Sequence, residues 1–195
     1  MFLDELGEFL PGALDALRQP LEERVVRISR QLMTLSLPAD FQLVACTNPC
    51  PCGLGPPWCA CSEVQRARYR RRLSAPLLDR FDLRLGVRPP EAAALAGEAS
   101  SVVRDRVEAA RARQRSRYRG RWLNAHVPAG ALTACIPLGG DALDAWHCES
   151  ETRGLTGRGA ARIRRVARTL ADLDDADSVS AAHVSLAAML REDVP

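Results

Sequence analysis

Apolar positions follow two regimes along this chain. Up to about residue 90, short apolar runs alternate with turn formers, and beyond about residue 100 the spacing becomes helical. Phe2-Leu3 closes an apolar run at Asp4-Glu5, after which Leu6, Phe9, Leu10, Leu14 and Leu17 recur at helical spacing, so a strand followed by a helix opens the chain. Val25, Val26 and Ile28 within 24–30, with Leu35 and Leu37 within 34–37, predict a hairpin that Pro38 ends. The run Phe41 to Cys46 is short and almost wholly apolar, as in a buried parallel strand whose C-terminal end, Thr47-Asn48-Pro49, opens onto a site. Ser62 reads as the cap of a helix through Arg72, and Phe81 to Val87 alternates like a further strand.

Pro89-Pro90 and the Ala-rich segment to Gly97 form a boundary, and helices are predicted at 100–118, 140–150, 157–173 and 180–190. In the third, Ile163, Val166, Ala167 and Leu170 mark one core face, with Arg162, Arg164, Arg165 and Arg168 spread over the others. The expected fold class is therefore α/β: an α/β half-domain over residues 1–90, followed by a small all-α domain over 91–195.

Composition narrows this picture in three ways. A chain of 195 residues with 47% hydrophobic content can bury a real core. No apolar run reaches membrane-spanning length, and acids stand at the N-terminus where an export signal carries bases, so a cytoplasmic protein is expected. All 27 basic residues are Arg and none is Lys; with a net charge of only +3 this reads better as a codon bias than as a demand for nucleic acid. Of the seven cysteines, Cys46, Cys135 and Cys148 are dispersed and read as small buried hydrophobes, whereas Cys50, Cys52, Cys59 and Cys61 crowd into one loop. Two C-x-C pairs so close together suit a tetrahedral structural Zn²⁺ pinning a loop too small for a core of its own. Free thiols and, behind them, an iron–sulfur cluster are the other readings.

Three further groups carry chemistry. An Asp-Glu pair at the end of an apolar strand suits nucleotide hydrolysis, Asp4 orienting hydrated Mg²⁺ and Glu5 polarising the attacking water; the same acids also suit a helix N-terminus. Asn48, a neutral amide, can bond both a γ-phosphate and the water, or simply form a turn before Pro49. Arg80 is placed either to reach a neighbouring subunit's nucleotide or to pair with Asp79 or Asp82 on the surface. Arg66, Arg68, Arg70, Arg71 and Arg72 around Tyr69, and the arginines between 111 and 121, are candidate phosphate contacts, the second run reading slightly better as a solvated helix face. His126, His147 and His183 have no spaced partner and read as structural or exposed.

Phe2-Leu3-Asp4-Glu5, the Asn-Pro-Cys-Pro-Cys-Gly stretch from Asn48 to Gly53, Pro76-Leu77-Leu78-Asp79-Arg80-Phe81-Asp82-Leu83, and the run from Arg165 to Leu173 occur in an order and spacing that resembles the ComM/YifB family of magnesium-chelatase-like AAA+ ATPases. The resemblance covers nearly the whole chain. It implies a partial AAA+ core with a hairpin insert, then a helical lid. Asp4 and Glu5 match the Walker B pair, Asn48 sensor 1, Arg80 an arginine finger acting in trans, and Arg158 sensor 2, with Arg162 in reserve. Departures are the missing Lon-like N-terminal domain and P-loop, and a hairpin turn near Gln31-Leu32-Met33 without the family's usual Gly. A truncated reading frame or an excerpt is expected.

The resemblance implies ATP and Mg²⁺ as cofactors, self-assembly into a ring, expected to be a hexamer, and DNA as the partner, remodelled as in branch migration. Two other readings stand beside it: a non-catalytic, zinc-stapled module binding DNA or a partner, and an ATPase subunit that serves metal insertion into a porphyrin.

Overall fold

The computed structural model describes residues 1–31, 33–87 and 97–191. Two compact units emerge, the first Met1–Phe81 and the second beginning at Asp82. The boundary read at Pro89-Pro90 and the following Ala-rich segment lies outside the described residues, as does Leu32 of the hairpin turn.

The first unit is α/β. Strand β1 (Phe2–Leu3) leads through a 3-10 turn at Leu6–Glu8 into α1 (Pro11–Ala16) and α2 (Arg18–Glu23). The single helix expected here is broken into these pieces because Pro11 starts α1 at its first turn, where a missing N–H is harmless. Strands β2 (Val25–Arg30) and β3 (Met33–Pro38) form the expected antiparallel hairpin, with Ile28 opposite Leu35. Strand β4 (Val44–Ala45) pairs parallel with β1 in the register Phe2↔Val44 and Leu3↔Ala45. It is much shorter than the run Phe41–Cys46 and is not buried: Val44 is 49% exposed and Phe2 63%. A two-stranded sheet has one partner per strand and nothing stacked over the outer face, so apolar side chains cannot all be covered.

Helix α3 (Glu63–Arg70) begins where expected, with a capping box: Ser62 Oγ accepts from Gln65 N and the Gln65 side chain accepts from Ser62 N. Helix α4 (Ala75–Leu78) completes a small core in which Leu6, Leu14 and Leu77 are buried against Leu3, Leu17, Leu21, Ala45, Leu73 and Phe81.

Helices make up the second unit: α5 (Ser100–Arg117), α6 (Leu132–Cys135), α7 (Asp141–Thr152), α8 (Gly157–Leu173) and α9 (Ala181–Met189). The strand expected at 81–87 is not formed in its described residues. Arg84 makes a single isolated bridge to Arg191, and Leu83, Leu85 and Val87 remain 46%, 53% and 91% exposed, because no second strand meets them. Ile136, Ile163, Ala167, Ala171, Val184, Ala187 and Ala188 form the fully buried core of this unit.

The arginines of α8 depart from the sequence reading. Arg164 and Arg168 are buried, at 6% and 4% exposure, rather than spread over solvent faces. Arg164 Nε donates to the Ile136 carbonyl at 2.7 Å and its guanidinium lies over the Trp146 ring, and Arg168 donates to Asp172 Oδ1 and to the carbonyls of Ala176 and Asp177. A guanidinium enters a core only when its donors are used this way. Asp172, 2% exposed, is the hub; it also accepts two bonds from Arg117 of α5 and one from Asn124, whose side chain receives the Tyr118 hydroxyl. The other predicted arginine face, 111–121, is mostly exposed as expected, Arg117 being the member drawn inward.

Candidate functional site

Parallel pairing decides where the chemistry-bearing residues emerge. Beyond the register Leu3↔Ala45, Cys46 N donates to the Leu3 carbonyl at 3.0 Å and Leu6 N to the Cys46 carbonyl at 2.8 Å. Asp4-Glu5 and Thr47-Asn48 therefore leave the same end of the two strands side by side. The Cys46 thiol donates to Asp4 Oδ1 at 2.8 Å, and Glu5 N donates to the same oxygen at 2.9 Å. Both bonds fall on one carboxylate oxygen, which fixes the orientation of the other.

Glu5 adopts φ +49°, the left-handed region that non-glycine residues rarely occupy. Such backbone costs on the order of 1–3 kcal/mol and persists where its surroundings enforce it, often at functional turns. Two residues further on, the chain passes Tyr69 of α3 at close range. A Cβ added at Gly7 would lie 2.4 Å from the Tyr69 hydroxyl oxygen, and that hydroxyl is 3.4 Å from Thr47 Oγ1. Arg72 then donates to the Gly7 carbonyl and to Glu8, both at 2.8 Å. Tyr69 and Arg72 were read from sequence only as part of a basic run; the signal for their role was the small residue at position 7, directly after Glu5-Leu6.

Asn48 is exposed and its side-chain amide makes no hydrogen bond among the described residues. Cys46, expected to be a buried hydrophobe, is exposed and engaged with Asp4; Cys148 is exposed as well, while Cys135 packs half-buried against the helical core. The reason for the first is the shortness of β4, which leaves residues beyond Ala45 uncovered.

Arg80 closes α4 inside its own unit. Its Nη2 meets Glu22 Oε2 at 2.6 Å, Nε donates to the Arg18 carbonyl at 2.9 Å and Nη1 to the Pro76 carbonyl at 2.6 Å, leaving the side chain 12% exposed. Arg158 stands in the first turn of α8, in the second unit, where Thr156 caps the helix by accepting from Gly159 N at 3.1 Å; Arg158 itself is exposed. The reserve candidate Arg162 is paired with Asp82 and only 11% of its side chain is exposed. His183, whose ring bonds Ser180 and Asp174, is structural.

The cysteine loop converges as its spacing predicts. The Sγ atoms of Cys50, Cys52, Cys59 and Cys61 all lie within 4.8 Å of one another, with Cys50 at 3.3 Å from Cys52 and 3.4 Å from Cys59. A tetrahedron with Zn–S bonds of ~2.3 Å has edges of ~3.8 Å, so these separations bracket the geometry of a tetrathiolate metal. Hydrogen bonds from the Leu54 backbone and the Cys50 thiol bring Cys52 down to about 6, whereas desolvation and the neighbouring Cys52 push Cys61 up to about 12. The lowered value at Cys52 favours the thiolate form that a metal ion takes as ligand.

Residues 1–95 match the model for magnesium chelatase, subunit ChlI, and residues 97–191 match that for the magnesium chelatase, subunit ChlI C-terminal region. The chain is 39% identical to the YifB protein of Escherichia coli K12 over 199 residues, covering 98% of this chain and 38% of that protein. It is 41% identical to a protein of Mycobacterium tuberculosis H37Rv over 207 residues, covering 98% and 39%. Against the competence protein ComM of Haemophilus influenzae it is 38% identical over 193 residues, covering 95% and 37%. The chain thus spans less than two fifths of the length of these relatives. No helix among the described residues is long and apolar enough to cross a membrane.

Proposed function

This chain belongs to the magnesium-chelatase-like family that includes YifB and ComM, and from that premise we propose that it is the C-terminal portion of a AAA+ ATPase subunit that remodels DNA. The observation that carries the reading is the pairing of β1 with β4, which brings Asp4-Glu5 and Asn48 out at one end of a parallel sheet. Ligands of α/β folds bind at such strand ends. Asp4, oriented by Cys46 and by Glu5 N, is suited to hold hydrated Mg²⁺. The chemistry a bound ion would supply there is positive charge against the phosphates of ATP. Glu5, turned by its left-handed backbone, would take the proton side of the attacking water, and Asn48 would orient that water and the γ-phosphate without adding negative charge. Arg80 would act on a neighbouring subunit's nucleotide in a six-membered ring, and Arg158 on its own, as the family pattern implies.

In this reading Cys50, Cys52, Cys59 and Cys61 hold a structural zinc ion. Purified under reducing, chelator-free conditions, the protein is expected to carry about one equivalent of zinc, and replacing any one of the four cysteines by serine should release it and make the loop protease-sensitive. Metal analysis finding none would remove the zinc assignment. Convergence of the four thiols favours this module in either of two proteins, the motor or a non-catalytic remnant that binds DNA, and turnover separates them.

The 195-residue chain by itself is expected to bind ATP weakly and to show negligible turnover, because its sequence holds no lysine and no Gly-rich loop to cradle the β- and γ-phosphates. In a protein that supplies those groups upstream of Met1, Glu5→Gln should keep ATP binding and abolish steady-state phosphate release. Hydrolysis that survives Glu5→Gln at more than a tenth of its rate would overturn the assignment of this site.

A further inference from the structure

The cysteine loop and α3 carry a second surface. Trp58, between Pro57 and the metal-ligand candidate Cys59, is 73% exposed, and Leu54 in the same loop is 63% exposed. A four-thiolate staple needs neither side chain, and exposing an indole to water is unfavourable unless something stacks on it. Helix α3 starts at Glu63, capped by Ser62, the residue directly after Cys61, so the basic helix begins at the same loop.

Charge on α3 is one-sided. Glu63 takes up Arg66 at 2.5 Å and Arg70 at 3.2 Å, and Glu8 takes up Arg72 at 2.8 Å. Arg68 and Arg71 are exposed and have no anionic partner among the described residues. Val64, Arg68 and Arg71 stand at i, i+4 and i+7, so they share one face, opposite in sense to the buried Tyr69. Arg68 also lines a depression of about 520 Å³ together with Gln65, Arg72 and Pro51 of the cysteine loop.

We propose that the loop from Leu54 to Cys59 and the outward face of α3 form a binding surface for single-stranded nucleic acid, with Trp58 stacking on a base and Arg68 and Arg71 pairing with phosphates. The proposal rests on the nucleic-acid part of the function above and specifies where and in which form the strand is held. Exposed indole and unpaired guanidinium together fit a strand whose bases are unstacked; a duplex offers phosphates but no free base face. A protein partner with an acidic surface would use the arginines and leave Trp58 indifferent.

The experiment uses the zinc-loaded 195-residue chain and the fluorescence anisotropy of labelled 20-nucleotide oligothymidylate and oligouridylate, with duplex DNA of equal length, between 50 and 200 mM salt. Single strands are expected to bind in preference to the duplex. Trp58→Ala should weaken binding by roughly 5- to 150-fold, the range of one lost base stack, with Trp58→Phe restoring most of it. Arg68→Ala with Arg71→Ala should lower the slope of log affinity on log salt by about 1.4, at ~0.7 per phosphate contact on a single strand. Arg104→Ala in α5 should change neither. All four positions are exposed, so circular dichroism and zinc content should stay unchanged. Tighter binding of one oligonucleotide identifies DNA or RNA as the natural strand, and both results support the surface. Binding that is indifferent to Trp58 and to the arginine pair overturns this surface and leaves the nucleic-acid reading standing. If neither oligonucleotide binds at 50 mM salt, both the surface and the nucleic-acid reading are overturned, while the ATPase assignment, tested by Glu5→Gln, is untouched.

Discussion

Replacing Asp172 by alanine lowers the stability of the helical unit by about 3–5 kcal/mol, the usual cost of removing one partner from a buried charge network. Asp172 is 2% exposed and accepts from Arg117, Arg168 and Asn124, so its loss leaves two guanidinium groups facing each other in the core of α5 and α8. Urea titration followed through Trp122 and Trp146 should show an earlier midpoint with an unchanged slope. A loss below about 1 kcal/mol would mean that water replaces the carboxylate. The pH dependence follows from the same contacts. Burial by itself pushes the Asp172 carboxyl up, but hydrogen bonds from Arg117 and Asn124 and the charge of Arg168 outweigh it, so the folded value is depressed. A depressed folded value gives stability that is fully present above the unfolded value of about 3.9 and is lost as pH falls through the lower, folded value. Stability should therefore drop on acidification below about pH 4, and Asp172→Asn should flatten that part of the curve.

The second large effect belongs to the ring proposed above. Arg80→Ala should reduce ATP turnover on the order of a thousandfold or more, the contribution typical of a cation supplied to a neighbour's transition state. Mixed rings distinguish the roles: an Arg80→Ala subunit silences the adjacent site, whereas a Glu5→Gln subunit silences chiefly its own. Within its own unit Arg80 is already bound to Glu22, the Arg18 carbonyl and the Pro76 carbonyl. Acting in trans requires it to exchange the Glu22 pair for phosphate as two subunits meet. Turnover within a few fold of the parent in Arg80→Ala rings would mean that Arg80 only ties α4 to α2.

What could be read from the sequence depended on how local the signal was. Helix α8 is legible to its ends, because Thr156 caps it and its apolar positions repeat at helical spacing. The capping box at Ser62 and the convergence of four cysteines are equally local. Strand length was not legible: the apolar runs 41–46 and 81–87 look like strands, yet a strand forms only as far as a neighbour pairs with it, and neighbours are set by tertiary structure. The burial of Arg164 and Arg168 was hidden for the same reason, since the carbonyls and the carboxylate that satisfy them come from elsewhere in the fold or one turn away. Of the candidate site, the chemical identities of Asp4, Glu5 and Asn48 were readable, and the contacts beside them, Cys46 on Asp4 and Tyr69 against Thr47 and Gly7, were not.

The close approach of Tyr69 to Gly7 also constrains how the protein can change over generations. The Tyr69 ring fills the space a side chain would need at position 7, with the ring carbon that bears the hydroxyl 2.5 Å from where a Cβ would sit. A larger residue at 7 would press on the tip of the Tyr69 ring, and a smaller residue at 69 would leave space beside Gly7, so substitutions at these two positions, 62 apart in the chain, are expected to be non-additive.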